Sequence, residues 1–306
     1  MSAEDASKKS ILFAFVANLG VAITKTVATV ITGSGSMLAE AVHSYADCAN
    51  QGLLFLGLKQ SKKAPDENHP LGYGKEIFFS SFIVAMMLFS MGGVFSVYEG
   101  VNKLSNHEGV SSPMVAVVVL LIGMALEGAA LYGCIQQIKK VKRPGVSLLE
   151  WSKHSRQSEL VVILAEDTAA LLGLFFALIA VVLTAITGNP IYDAFGSIAI
   201  GVLLLFVSIF LGKKVKGLLV GQSAEKEVRD EIDAILESRP EIAEIFSVIT
   251  LQLGNEIMVS IKARMRDVES DDELIHDINA CEKALIASNP AIRWVFFEPD
   301  VEAGGA

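Results

Sequence analysis

Three ionisable residues and an amide follow one another along a segment that is otherwise largely apolar. Glu40, His43 and Asp47 stand at positions i, i+3 and i+7, and Gln51 continues the series. On a helix that turns by about 100° per residue, these side chains form one narrow stripe. An imidazole one turn from a carboxylate can bind a cation or carry a proton, so this stripe is the first candidate for a functional site.

Two further apolar segments carry acids. Glu166 and Asp167 are adjacent, with VVIL before them and TAALLGLFF after them, and Glu127 lies in another long apolar stretch. A carboxylate inside hydrocarbon must be paired, neutralised or bound to a cation. Counting about 1.5 Å per residue from the ends of the segments puts Asp47 and Asp167 at similar depth. We therefore predict that the two segments meet around one divalent cation.

The donor types narrow the choice of ion. An imidazole nitrogen with two or three carboxylate oxygens suits a borderline divalent transition metal, with Zn(II) first and Mn, Fe, Co or Ni behind it. The three cysteines are scattered and form no CxxC pair, so a thiolate site for Cu(I) is not predicted. The predicted metal ligands are His43, Asp47, Glu166 and Asp167, with Glu127 and Glu40 as secondary candidates.

A purely structural network of buried polar groups is the competing interpretation. It would suffice for His43 alone, but acids at matching depth on two helices favour a metal. Two interpretations of Glu127 stay open. It is either a metal ligand, or a residue that hydrogen-bonds a neighbour or balances the charge of Lys25 of the first span. Asp193, shortly after Pro190, is interpreted as a helix-start residue whose carboxylate caps free backbone N–H groups.

The elements that must position these residues are long apolar helices. Hydrophobic residues make up 52% of the 306 residues and charged residues 19%, with a mean hydropathy of +0.50, which argues against a purely soluble protein. Stretches of about 20 apolar residues are long enough to cross a bilayer core of about 30 Å. An all-α domain of six transmembrane helices is predicted, at residues 11–32, 36–58, 78–101, 114–138, 159–187 and 191–212.

The basic residues support this division into spans. They crowd alternate loops, around residues 8–9, 59–75, 139–156 and 213–216, whereas the loops on the other side contain Lys103 alone. The positive-inside rule then places both termini on the cytoplasmic side. A net charge of -9 argues against a nucleic-acid partner. The first residues do not resemble a transit peptide, which favours a bacterial inner membrane over an organelle membrane.

The last third of the chain has the composition of a water-exposed domain. Its pattern predicts a helix at 225–238, a hairpin of strands at 245–253 and 257–265, a helix at 271–288 and a strand at 292–298. This αββαβ order indicates a ferredoxin-like α+β domain with helices on one face of the sheet. We therefore expect an N-terminal tail at 1–10, a transmembrane domain at 11–220 and a cytoplasmic domain at 221–303.

Several motifs together resemble those of the cation diffusion facilitators, which are divalent-metal/proton antiporters. HSYAD at residues 43–47, preceded by SGSGSMLAEA, and HPLGYGK at 69–75 carry the resemblance, together with the layout of six spans and a small terminal domain. The likeness is strongest to the subgroup that includes the animal mitochondrial zinc transporters. It rests on EAVHSYADCANQGLL from residue 40, LAEDTAALLG from residue 164 and ITGNPIYDAFGS from residue 186.

The resemblance implies a transport site built by the second and fifth spans. The second span supplies a His or Asp and an Asp four residues later, which correspond here to His43 and Asp47. The fifth span supplies a similar pair, in which Asp167 matches but Ile163 cannot bind metal. Glu166, Glu127 or a water is expected to complete the set.

Other metal sites of the family are incomplete in this sequence. In the loop after the second span His69 remains, but Asn68 and Tyr73 stand where further ligands would be. The terminal domain has one histidine, His276, and Phe297 and Pro299 occupy the ends of its last strand. The resemblance thus implies that this domain forms a homodimer without its metals.

The predicted function is secondary transport that exchanges the divalent metal for protons by alternating access. The predicted partners are the metal ion, protons, the lipid bilayer and a second copy of the chain, with no resident cofactor. Ligands must lose protons to bind metal, so proton arrival would help to release the ion. One alternative is an intramembrane hydrolase, since paired aspartates can share a proton and activate water. The other is a metal-binding membrane protein that does not transport.

Overall fold

The computed structural model describes residues 3–106 and 112–302, with side chains from residue 18 onward apart from that of residue 106. These residues form two compact units. The first contains the described residues up to 57 together with 79–147 and 158–215. The second contains 58–78, 148–157 and the described residues from 216 onward.

Long helices cover each segment that was predicted to span a membrane. A π-helical stretch, Leu88–Val94, follows the helix Glu76–Met87, and neither it nor the short helix Leu148–His154 was predicted from the sequence. The bounds are α1 Ala3–Thr32, α2 Gly35–Gln60, α3 Glu76–Met87, α4 Phe95–Asn106, α5 Pro113–Val141, α6 Leu148–His154, α7 Ser158–Thr187 and α8 Ile191–Gly221.

Within the described residues, four helical stretches are long and apolar enough to cross a membrane. They are Glu76–Ser105, Pro113–Val141, Ser158–Thr187 and Ile191–Glu237. A shorter apolar helix, Asn18–Thr32, belongs to α1. The polar stripe of α2 interrupts its apolar sequence, so this helix does not stand out by hydropathy. The count of six spans therefore stays a prediction.

The turn between α7 and α8 follows from its sequence. Gly188 has a φ of 71°, a left-handed conformation that glycine adopts without strain, and it ends α7 after Thr187. Pro190 then precedes α8 with a fixed φ that suits the start of a helix. This short turn brings Asp193 into the first turn of α8.

Asp193 caps a helix, but the helix that it caps is α2. Its carboxylate accepts the backbone N–H of Gly35 at 2.6 Å and the hydroxyls of Ser34 and Ser36 at 2.6 and 2.5 Å. The carboxylate is completely buried, and the positive end of the α2 dipole offsets its charge. The start of the helix that bears the polar stripe is thus held by the start of α8.

Small residues let α8 pack closely against the stretch that contains the π-helix. A Cβ atom added to Gly201 would lie 2.6 Å from the backbone nitrogen of Val97 and 2.8 Å from the carbonyl oxygen of Gly93. No side chain fits at that separation, so the two backbones are in direct contact. Close approach through small residues is how helices associate in a lipid environment, where burial from water provides no driving force.

The second unit contains a three-stranded sheet and two of the helices that the sequence predicted. The hairpin turn at Gly254 and Asn255 is confirmed, with a φ of 67° at Gly254. Strand order is β1-β2-β3, with β1 and β2 antiparallel and β2 and β3 parallel. The bounds are α9 Lys226–Glu237, β1 Ile242–Leu253, β2 Glu256–Met265, α10 Asp271–Ser288 and β3 Ile292–Pro299.

Alternating residues of β2 provide the core of this unit. Val259, Ile261 and Ala263 are completely buried, and they pack in one cluster with Leu236 of α9 and Leu285 of α10. The intervening β2 residues are more exposed, as the period of two in a strand requires. The helices therefore cover one face of the sheet, while the assignment to a ferredoxin-like fold stays a prediction.

Candidate functional site

Four of the predicted acids line one small cavity in the first unit. The cavity volume is about 30 Å³, which is enough to hold a water molecule or an ion. Helices α1, α2, α5 and α7 all contribute to its wall. The lining residues are Asn18, Val21, Ser44, Asp47, Gln51, Glu127, Ala130, Glu166, Asp167 and Ala170.

Asp47 of α2 and Glu166 of α7 form the centre of this group. Both side chains line the cavity, one from each helix. Two ionised carboxylates in one small buried cavity repel each other, so either a proton or a bound cation must offset their charge. The pair therefore has two alternative occupants, which is the chemistry needed to exchange a proton for a metal ion.

Asn50 orients the Glu166 carboxylate. Its side-chain amide donates a hydrogen bond to Oε1 of Glu166 across the interface between α2 and α7. Asn50 is completely buried, and it lies three residues after Asp47, on the same face of the helix. Asn50 was not among the predicted site residues, although its spacing of seven from His43 places it on the polar stripe.

His43 is buried beside the cavity wall with its ring unpartnered. Its Nε2 atom lies 3.6 Å from Oδ2 of Asp47, which is too long for a hydrogen bond. Among the described residues, neither ring nitrogen has a hydrogen-bond partner. An unpartnered buried imidazole is costly, and the unprotonated nitrogen of its neutral form remains available to a proton or a metal ion. His43 does not line the cavity in this conformation.

Glu40 does not line the cavity but forms an ion pair with Lys25. Its Oε2 atom lies 3.2 Å from the ammonium of Lys25, which also donates to the Ser44 hydroxyl at 2.7 Å. The ion pair of Lys25 is thus formed with Glu40, whereas Glu127 faces the cavity instead. The two roles considered for Glu127 stay predictions.

The described residues contain no three His, Cys, Asp or Glu side chains that are already arranged to hold a metal ion. The cavity collects Asp47, Glu127, Glu166 and Asp167, and His43 lies one turn from it along α2. Binding a metal with all of these groups would require side-chain rotation or helix movement. The assignment of the ligands stays a prediction.

The loop after α2 forms a closed set of contacts around Asp66. This carboxylate accepts the Tyr73 hydroxyl at 2.5 Å and the backbone N–H groups of His69 and Asn68 at 2.8 and 3.0 Å. The hydrogen bond from Tyr73 is the main reason that the pKa of Asp66 lies below its usual value, and it raises the pKa of Tyr73. The His69 ring packs on that of Tyr73, with 4.1 Å between centroids. The oxygens of Asp66 are therefore already used within the loop.

Residues 11–220 match the family described as the cation efflux transmembrane domain. The proton-coupled zinc antiporter SLC30A9, mitochondrial, of Homo sapiens is 38% identical over 231 residues, which is 75% of this chain and 41% of that protein. Metal tolerance protein C4 of Arabidopsis thaliana is 38% identical over 197 residues, or 64% of this chain and 43% of that protein. The chain therefore spans about two fifths of the length of these relatives.

A bacterial relative matches over more of its own length. Magnetosome protein MamB of Magnetospira sp. (strain QH-2) is 25% identical over 267 residues, which is 85% of each chain. The relatives thus include mitochondrial and bacterial proteins. An antiporter among them agrees with the prediction of a transporter and gives no support to the hydrolase alternative.

Proposed function

The chain belongs to the cation efflux family and is a membrane protein, and from this we propose that it exchanges a divalent transition metal ion, Zn(II) first, for protons. The observation that carries the proposal is the cavity where carboxylates of α2, α5 and α7 converge. A site of this composition cannot hold all its negative charges in a membrane without a compensating cation. The proton-coupled zinc antiporter among the relatives supports the choice of both ions.

We assign the metal ligands to α2 and α7. Asp47 and Asp167 supply carboxylate oxygens from the two helices, and His43 supplies an imidazole nitrogen. Glu166 is the fourth ligand in place of Ile163, since it lines the cavity together with Asp47 and Asn50 holds its carboxylate. One imidazole and three carboxylates suit Zn(II) in four-coordination.

Glu127 of α5 has a different role in this proposal. It lines the same cavity from a third helix, so it adds negative charge close to the ligands. Protons that bind the carboxylates and His43 lower their affinity for the metal, because a ligand must be deprotonated to coordinate. The metal ion carries two positive charges, and protons that replace it keep the net charge of the cavity nearly constant. Release of the metal on one side is thereby coupled to proton uptake on the same side.

Transport requires the cavity to open to each side of the membrane in turn. We propose that α2 and α7 move relative to their neighbours to provide this alternating access. The topology that we propose has six spans within residues 11–220, both termini on the cytoplasmic side, and a cytoplasmic domain at 221–303 that pairs with that of a second copy. The alternation of basic loops along the sequence supports this orientation.

The proposal is tested by zinc flux into proteoliposomes that contain a zinc-sensitive dye. We expect an imposed pH gradient to drive zinc flux, and we expect reversal of the gradient to reverse the flux. Competition with Mn(II), Co(II) and Fe(II) in the same assay ranks the transported metals. Flux that ignores the gradient would indicate a channel, and zinc binding without any flux would indicate a non-transporting protein; either result would overturn the proposal.

A further inference from the structure

Lys25 carries a positive charge in the interior of the first unit. It is 1% exposed, and its ion-pair partner Glu40 is completely buried. The ammonium also donates to the hydroxyl of Ser44, so two of its three protons are used by α2. Taking two charges out of water is costly, and a buried ion pair contributes little net stability. Stabilisation of helix packing therefore does not by itself account for this ion pair beside the cavity.

Gly173 makes room for the ion pair, and Gly123 lies beside it. A Cβ atom added to Gly173 of α7 would lie 2.6 Å from Oε1 of Glu40, which is closer than any real contact of that kind. A Cβ atom added to Gly123 of α5 would lie 3.5 Å from Cε of Lys25. The pair thus occupies a space where α1, α2, α5 and α7 meet.

Glu40 shares the polar stripe of α2 with two of the proposed metal ligands. It lies one turn before His43 and two turns before Asp47. Its Oε2 atom is committed to Lys25, while Oε1 has no hydrogen-bond partner among the described residues. Without Lys25, this carboxylate would be a further oxygen donor next to the site.

We propose that Lys25 determines metal specificity by holding Glu40 as its counter-ion and thereby withholding one carboxylate from the transported ion. This inference rests on the proposed function. With Glu40 withheld, the donor set keeps one imidazole and a limited number of oxygens, which favours Zn(II). An additional carboxylate adds negative charge and a hard oxygen donor, which favours Mn(II). Lys25 thus disfavours Mn(II) by limiting the number of carboxylates that can bind the metal ion.

The test compares metal preference in three variants of the full chain. Lys25→Met removes the charge and frees Glu40, Lys25→Met with Glu40→Gln removes both charges, and Lys25→Arg keeps the charge. The matched control is Lys103→Met, which removes another buried lysine of this unit whose ammonium donates to the backbone carbonyl of Gly33. For each protein, the Mn(II)-to-Zn(II) affinity ratio is measured by equilibrium competition in detergent, and the flux ratio in proteoliposomes.

We expect Lys25→Met to shift the affinity ratio toward Mn(II) by about tenfold, the order of effect of one added charged ligand. Adding Glu40→Gln should restore the parental ratio, and Lys25→Arg and Lys103→Met should retain it. A role confined to joining α1 and α2 predicts instead that the single and double variants behave alike, and that result would overturn the inference.

Two further arrangements keep the test decisive. If Lys25→Met does not fold, Lys25→Gln carries the same test, because its amide can still contact Ser44 while Glu40 is freed. If the parental protein binds zinc but transports none, the proposed function fails, whereas the affinity ratio in detergent still decides the role of Lys25. A parental protein that transports zinc while every variant keeps the parental ratio refutes the inference alone.

Discussion

The side-chain amide of Asn50 donates a hydrogen bond to the carboxylate of Glu166 across the interface between α2 and α7. The bond links the two helices that are proposed to supply the metal ligands, at a point where both side chains are buried. It fixes which oxygen of Glu166 is occupied and leaves the other oxygen without a bond from Asn50. An outer partner of this kind orients a ligand before the metal arrives.

Replacing Asn50 should weaken metal binding without removing a ligand. In Asn50→Leu, Glu166 loses its donor and its carboxylate is no longer held in place. We expect zinc affinity to fall by about 10- to 100-fold, as is typical when an outer partner of a metal ligand is lost. Isothermal titration in detergent measures this change. Thr168→Val serves as a control, because Thr168 is exposed and bonds within its own helix. Unchanged affinity in Asn50→Leu would argue against Glu166 as a ligand.

The acids at the centre of the cavity should be indispensable for flux. In Asp47→Asn and in Asp167→Asn, an anionic oxygen is replaced by a neutral amide of the same shape. We expect either change to lower the rate of gradient-driven zinc flux by more than about 100-fold, exceeding the loss from an outer partner. Proteoliposome flux with matched protein content is the measurement. If either variant transports at the parental rate, the ligand assignment is wrong.

Local signals account for the parts of the site that could be predicted. A charged residue within an apolar helix is visible in the sequence, and the helical period places His43, Asp47 and Asn50 on one face. The spacing also predicted both strands of the hairpin and the position of α10, because alternation and turn residues act over a few positions.

Contacts between helices could not be predicted in the same way. Whether Lys25 meets Glu40 or Glu127 depends on the rotation of α1 about its axis, which no periodicity of one helix determines. The carboxylate of Asp193 was expected to cap free N–H groups, yet only the packing of α8 against α2 shows which helix receives it. The π-helical stretch at Leu88–Val94 likewise has no distinctive residue pattern.

Loss of the Asp193 carboxylate should destabilise the first unit. Asp193→Ala leaves the N–H of Gly35 and the hydroxyls of Ser34 and Ser36 without their buried acceptor. We expect a loss of about 1.5–3 kcal/mol, as for a hydrogen bond to a charged group, measured as a lower thermal midpoint in detergent. Asp193→Asn should lose less, because its amide oxygen can still accept. Equal midpoints for the parent and the alanine variant would contradict the role of the cap.

Acid should disrupt the loop contacts of Asp66. Its pKa in the folded protein lies below the usual 3.8, mainly because the Tyr73 hydroxyl donates to the carboxylate. The stabilisation is therefore complete above the unfolded pKa and is lost as the pH falls through the lower folded value. An NMR titration of the Asp66 carboxyl carbon should give a midpoint below 3.8. In Tyr73→Phe the midpoint should rise toward 3.8. A midpoint unaffected by the substitution would show that the hydroxyl does not control this titration.

Gly74 packs directly against the β1–β2 hairpin within the second unit. A Cβ atom added to Gly74 would lie 2.2 Å from the carbonyl oxygen of Leu253, and one added to Gly254 would lie 2.3 Å from the carbonyl oxygen of Gly74. Backbone atoms on both sides cannot rotate away, so Gly74→Ala must push the loop and the hairpin apart. We expect a loss of about 1–3 kcal/mol, as for overpacking of a well-packed contact.

The measurement is the thermal midpoint of the full chain in detergent, combined with hydrogen exchange of the hairpin amides. Gly217→Ala is the matched control in the same unit, since its added Cβ would meet only ordinary contacts, the nearest at 3.7 Å to the Gln222 side chain. The control should keep or slightly raise stability, because alanine favours a helix more than glycine does. Gly74→Ala should lower the midpoint and speed exchange at the hairpin turn. If both variants behave alike, then the loop and the hairpin do not depend on each other for stability.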